Sequence, residues 1–264
     1  VGLADGRLLV VGGLVNGTST DAVVAGNPRD GMKVIGHLAV PTHDAALALV
    51  GKSVLYIGGG AATQFTTVRL IDQATGEQRT TGHLPAAASD LGAVTSNNLA
   101  YTVGGYDGAT WLTSVLSYDA GGASPELVGQ MPFGLRYPAI GTVGGNLYVA
   151  GGTLASGADS AATFRIDVHS GQVTRLADLP RPTAHAVFVQ VKGQLVLAGG
   201  RIGTPGANML RSFDPKSGVT HVVGRIPAGV ADPAFVSLDD GSALLVGGFN
   251  AAGTATDTNM QVTS

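Results

Sequence analysis

Five residues with charged or reactive side chains hold one place in a repeating pattern: Asp44, Asp90, Tyr137, His185 and Asp232. Each stands at the same distance ahead of a Gly-Gly pair, once a single extra residue at Asp239-Asp240 is allowed for the last. Their neighbours one position earlier include His43, Ser89 and Arg136. Three carboxylates and an imidazole are hard donors that suit a cation. Together with a phenol and a guanidinium they equally suit a polar organic ligand. The competing explanation is strand capping, in which a polar residue opens a strand and meets water. One residue per repeat leaves the donors far apart, so no metal and no cofactor are assigned, and the set is taken as ligand-binding.

A second set directly follows the glycines: Tyr106, Arg201 and Phe249, flanked by Gln64, Phe65, Asp107, Trp111 and Asn250. Aromatic side chains beside a few polar ones are the composition of a protein or carbohydrate contact surface. For Phe65 and Trp111, packing between neighbouring repeats is the alternative. No catalytic residue is assigned. The Gly-Gly pairs are no phosphate loop, because no lysine and helix follow them. His37, His83, His169 and His221 form no cluster with metal-ligand spacing.

The elements that carry these residues come from six near-copies of one apolar segment: LLVVGG, VLYIGG, LAYTVGG, LYVAGG, LVLAGG and ALLVGG. Their first glycines stand at 12, 58, 104, 151, 199 and 247, a period of 46 to 48 residues. Units of that size bury their faces only against one another. In the second copy four strands are expected, at 44–50, 53–57, 67–71 and 77–82. The second is apolar throughout, as a strand covered on both faces must be. The pattern Asp-x-x-x-Gly recurs at 72–76, 167–171 and 214–218, with Asn27 and Gly31 as a variant, and predicts a capped turn between strands three and four. In the third copy Asp119 is followed by Gly121-Gly122, which alters that turn. Units close on an apolar residue and proline: Val40-Pro41, Leu84-Pro85, Met131-Pro132, Leu179-Pro180 and Ile226-Pro227. No sustained 3.6-residue period appears, so the chain is expected to be all-β.

The Gly-Gly pair after strand two, the aromatic-Asp steps Tyr118-Asp119 and Phe213-Asp214, and the Leu-Pro unit ends resemble kelch repeats across essentially the whole chain. The departure is the strand-four tryptophan of such repeats: the one tryptophan here, Trp111, lies in another segment. The resemblance implies a six-bladed β-propeller of four-stranded antiparallel blades, with repeats near 1–41, 42–85, 86–132, 133–180, 181–227 and 228–264 in a single domain. The last blade is expected to be incomplete, stopping on strand three, and the first to keep only 1–4 of its strand one. A strand completing the last blade would have to come from residues upstream of Val1.

In a propeller of this kind the first strands line a central channel, and the four-to-one and two-to-three loops share one face. Both candidate sets would then lie at the channel mouth. Galactose oxidase, a kelch-like enzyme, needs a cysteine cross-linked to tyrosine, and this chain has no cysteine. Bacterial sialic acid epimerases also resemble kelch propellers, and Arg136, His185 and the aspartates are the set that could serve a sugar acid.

Composition bounds the partners. Charged residues are 12% and the net charge is −3, which gives no footprint for nucleic acid. Apolar residues are 44%, yet no run approaches the ~20 needed to cross a bilayer, so no membrane insertion by this segment is expected. The missing cysteines and few lysines lean towards an extracytoplasmic setting. The expectation is a binding or sensor propeller, compatible with a monomer, for a protein, peptide or glycan ligand. The alternatives are a carbohydrate-active enzyme of epimerase, lyase or hydrolase type at the channel mouth, with His185 or an aspartate as acid/base, and plain scaffolding.

Overall fold

The computed structural model describes residues 1–27, 30–201, 207–226, 229–238, 240–250, 252–256 and 259–263. Pro227 and Asp239, on which a unit end and the extra residue rest, lie outside the described residues. Among the described residues there is no helix. The fold is a six-bladed β-propeller of antiparallel sheets, the first and the last with three strands among the described residues. The chain divides into two compact units, Val1–Leu127 and Val128–Ser264.

In the first unit, blade one holds β1 (Leu8–Val11), β4 (Ala22–Asn27) and β5 (Gly31–His37), with the small hairpin β2 (Leu14–Val15) and β3 (Thr18–Ser19). Gly2 bridges Leu8, so the expected remnant of a first strand is in place. Blade two runs β6 (Ala46–Val50), β7 (Ser53–Ile57), β8 (Thr67–Ile71), β9 (Gln78–His83), within a residue or two of the expected bounds. Blade three runs β10 (Gly92–Ser96), β11 (Leu99–Val103), β12 (Ser114–Tyr118), β13 (Glu126–Gln130); the unit boundary falls inside its last strand.

The second unit holds blade four, β14 (Ala139–Val143), β15 (Asn146–Ala150), β16 (Thr163–Asp167), β17 (Val173–Arg175). Blade five follows, β18 (Ala184–Val191), β19 (Gln194–Arg201), β20 (Met209–Phe213), β21 (Thr220–Arg225). Blade six is β22 (Ala234–Ser237), β23 (Ala243–Val246) and β24 (Asn259–Val262).

The apolar second strands β7 and β19 are each covered twice. Along β7, Val54 and Tyr56 pack with Leu9 and Val23 of blade one, while Leu55 and Ile57 pack with Ala100, Leu116 and Tyr118 of blade three. Along β19, Leu195 and Leu197 turn to Tyr148 of blade four, and Val196 and Ala198 to Ala243 and Leu245 of blade six. Successive side chains of a strand point to opposite faces, so its covered middle is apolar on both. The outer strands face water and are correspondingly mixed: β9 reads QRTTGH and β13 ELVGQ.

The aromatic-Asp step joins two tasks. Tyr118 and Phe213 end their third strands buried: Tyr118 bonds Thr102 Oγ1 at 3.0 Å, and Phe213 sits edge-on to Tyr148 and Phe188. The aspartate that follows caps the turn. Asp72 Oδ1 accepts from the N–H groups of Ala74 and Thr75, Asp167 Oδ1 from His169 and Ser170, and Asp214 Oδ1 from Lys216. Asp119 does the same for Gly121 and Gly122 at 2.9 Å, in a turn shortened by one residue.

Candidate functional site

The Gly-Gly pairs build the end of each blade on which the candidate residues stand. Gly58 has φ +62°, and a side chain there would overlap the carbonyl oxygen of Ala88. That same oxygen accepts the N–H of Gly59 at 2.8 Å. Gly151 and Gly152 grip the Thr183 carbonyl in the same way. The pair is therefore a clasp for the chain entering the next blade, and a Cβ would push that chain off.

One residue later a bridge joins the strand-one opening to the residue after the glycines. His43 pairs with Gly60, Ser89 with Tyr106, Arg136 with Thr153, Ala184 with Arg201, and Ala231 with Phe249. This pairing brings the two candidate sets to the same end of each blade. Asp44, Asp90, Tyr137, His185 and Asp232 all adopt left-handed backbone conformations, with φ between 50° and 62°. Such angles are uncommon for non-glycine residues and cost of order 1–3 kcal/mol. Within each unit the turned backbone is tied to its neighbour: Asp90 N–H donates to Asp44 O at 2.9 Å, His185 to Tyr137 O at 3.2 Å, and Asp232 to His185 O at 2.9 Å.

In the first unit, His43 Nδ1 bonds Ser19 Oγ at 2.8 Å, and its Nε2 lies 3.8 Å from Asp44 Oδ2. Asp90 is buried, at 4% exposure. Tyr106 donates its hydroxyl to Gly108 O at 2.7 Å and meets Trp111 edge-on at 5.0 Å. Trp111 bridges Tyr106 in the two-to-three hairpin, ahead of β12. Asp107 caps that hairpin through Ala109 and Thr110, and these bonds, the Thr110 hydroxyl first, hold its carboxyl below the usual aspartate range.

The second unit carries the denser cluster. His185, 6% exposed, stacks on Tyr137 with ring centres 4.1 Å apart and planes 24° from parallel. The Arg136 guanidinium lies 5.3 Å from the Tyr137 ring centre, and its Nη2 is 3.4 Å from the Tyr137 hydroxyl. His185 Nδ1 is 2.6 Å from Asp232 Oδ1, and its Nε2 is 2.6 Å from Arg201 Nη2. A guanidinium only donates. Nε2 is therefore the acceptor and Nδ1 carries the proton that Asp232 receives. The imidazole is neutral, with its tautomer fixed from both sides. Phe249 is half-buried on its bridge with Ala231.

Five of the expected residues, Arg136, Tyr137, His185, Arg201 and Asp232, thus form one connected group, and His43 and Asp44 form a second. Asp90 and His185 are buried polar groups. Ser19 was not among the candidates: it comes from the hairpin after the first glycine pair, and only the pairing of that hairpin brings it to His43. Among the described residues no three of His, Asp and Glu gather as metal ligands.

The model of the Kelch motif matches residues 87–120. Kelch-like protein 25 from Rattus norvegicus is 33% identical over 104 residues, 39% of this chain and 17% of that protein. Kelch-like protein 25 from Xenopus tropicalis is 29% identical over 128 residues, 48% of this chain and 21% of that protein. The chain thus spans about a fifth of the length of the curated relatives it matches. The solved structure of YjhT superposes with a TM-score of 0.81 at 17% identity, covering 96% of this chain and 94% of that one. The repeats, the glycine clasps and these likenesses agree: the chain is a β-propeller whose repeats resemble kelch repeats.

Proposed function

We propose that this propeller is a non-enzymatic binding module that holds a protein, peptide or glycan at the strand-one end of its blades. The observation that carries this reading is the engagement of His185 on both ring nitrogens, by Asp232 and by Arg201. An acid/base histidine needs one nitrogen facing substrate, whereas a locked imidazole is a rigid platform under Tyr137 and a support for an exposed guanidinium. Arg201 then offers its remaining N–H groups outward, the donor set that suits a carboxylate or a carbonyl-rich surface. Kelch propellers serve widely in protein interactions, which supports the same reading. An extracytoplasmic setting fits a chain without cysteine and with Lys33, Lys52, Lys192 and Lys216 as its only lysines.

The rival, a carbohydrate-active enzyme, draws on the Asp232–His185 pair, which also orients catalytic histidines. Glycan and peptide arrays probed with the wild type, Arg201→Ala and His185→Ala separate the two. The binding reading expects a retained partner whose affinity drops about tenfold or more in both variants, with no product formed. Turnover of any arrayed glycan, lost in His185→Ala while binding persists, would establish the enzyme instead.

A further inference from the structure

We propose that the seam between the first two blades binds a small monovalent inorganic anion of the halide class on Arg69. Arg69 lies on β8, directly across from Tyr56 on β7, and Thr67 and Ile71 share its face. That face meets blade one, where Leu9, Val23, Ala25 and Leu38 are all apolar. Arg69 is 8% exposed and Tyr56 2%. Arg69 Nη1 and Thr67 Oγ1 are enclosed and have no hydrogen-bond partner, and Tyr56 Oη, enclosed on the same face, has the Thr42 hydroxyl beside it. Arg69 forms no ion pair among the described residues. The carboxylate whose charge reaches Tyr56 is Asp44, which lies beside His43 and keeps part of its surface in water.

A guanidinium does not escape burial by losing its proton. Left alone in an apolar seam it carries an unrepaid desolvation cost, and a neutral water offers no opposite charge. One anion on Nη1 supplies that charge and accepts from the Thr67 hydroxyl, with the Tyr56 hydroxyl as a further donor on the same face. Burial pushes the Tyr56 hydroxyl up to about 12, so it remains a donor at any ordinary pH. One cation and a closely packed apolar wall select a single charge and a small sphere. Gln78, opposite Ile71, donates its Nε2 to His37 O and leaves Oε1 as an orphaned acceptor.

The test compares thermal unfolding in sodium bromide, chloride and gluconate at equal ionic strength for the wild type, Arg69→Met and Tyr56→Phe. The wild type is expected to melt ~2–4 °C higher in halide than in gluconate. Arg69→Met should lose that difference, and Tyr56→Phe, which removes one enclosed donor, should reduce it. A crystal grown in bromide should give an anomalous peak beside Arg69 Nη1. No halide effect in the wild type, the same effect in Arg69→Met, or ordered water alone at Nη1 would each overturn the proposal.

Discussion

Arg201 Nη2 donates to His185 Nε2 at 2.6 Å, and this single bond decides the protonation of a buried ring. Because the guanidinium only donates, the imidazole must carry its proton on Nδ1, where Asp232 receives it. Nitrogen NMR should find His185 in the Nδ1–H tautomer at neutral pH, with Arg201→Ala loosening that preference. A predominant Nε2–H form in the wild type would show that the Arg201 contact is absent in solution.

The glycine clasp predicts an uneven cost of adding one methyl group. At Gly151 (φ +68°) a Cβ would collide with the Thr183 carbonyl, whereas at Gly193 (φ +76°) nothing lies within 4 Å. Gly193→Ala should cost about 1–2 kcal/mol, the left-handed strain alone. Gly151→Ala should cost about 3 kcal/mol or more, since backbone must move as well. Urea unfolding of both variants checks this, and equal costs would mean the clasp yields freely.

The turn aspartates predict acid sensitivity. Asp72 is held below its ordinary value of 3.8 by the N–H groups of Thr75 and Ala74 and by the Thr75 hydroxyl. Backbone N–H groups lower Asp167, and the Ser217 hydroxyl, then the Lys216 N–H, lower Asp214. A carboxyl whose folded pKa is depressed stabilises the fold above its unfolded value, and that contribution fades as pH falls through the folded one. The stability of the wild type should therefore decline below pH 3.8. Asp72→Asn keeps an acceptor oxygen and should flatten part of that decline. An identical pH profile for Asp72→Asn, followed by calorimetry between pH 5 and 2.5, would contradict the assignment.

Tyr118 offers a buried counterpart. Its hydroxyl meets Thr102 at 3.0 Å, and burial raises its pKa above the ordinary 10.0. Tyr118→Phe should cost about 1–3 kcal/mol by leaving the Thr102 hydroxyl unpaired. It should also remove one late-ionising tyrosine from the alkaline absorbance titration; an unchanged titration would place Tyr118 in water.

The sequence made the blades legible because their determinants are local. Apolar second strands, paired glycines and Asp-capped turns each state their geometry within a few residues, and β7, β8 and the turn at Asp72 lie where that pattern puts them. The site was legible only as positions. That Asp44, Asp90, Tyr137, His185 and Asp232 share one register followed from their spacing, but their left-handed backbone did not, since glycine is the residue that announces it. Burial of Asp90 and His185 was hidden for the same reason: polar residues are read as exposed, and their partners lie far along the chain. Arg69 carried no signal at all, because an arginine on a third strand is ordinary until the neighbouring blade's face is known.

Hydrogen exchange with and without a saturating array-selected partner tests the central claim most directly. Binding at the strand-one end should slow exchange around Arg136, Tyr137, His185, Arg201 and Asp232, and leave the turns at Asp72, Asp167 and Asp214, at the other end of their blades, unchanged. Protection confined to those turns, with the Arg201–His185 region exchanging as in the free protein, would contradict it.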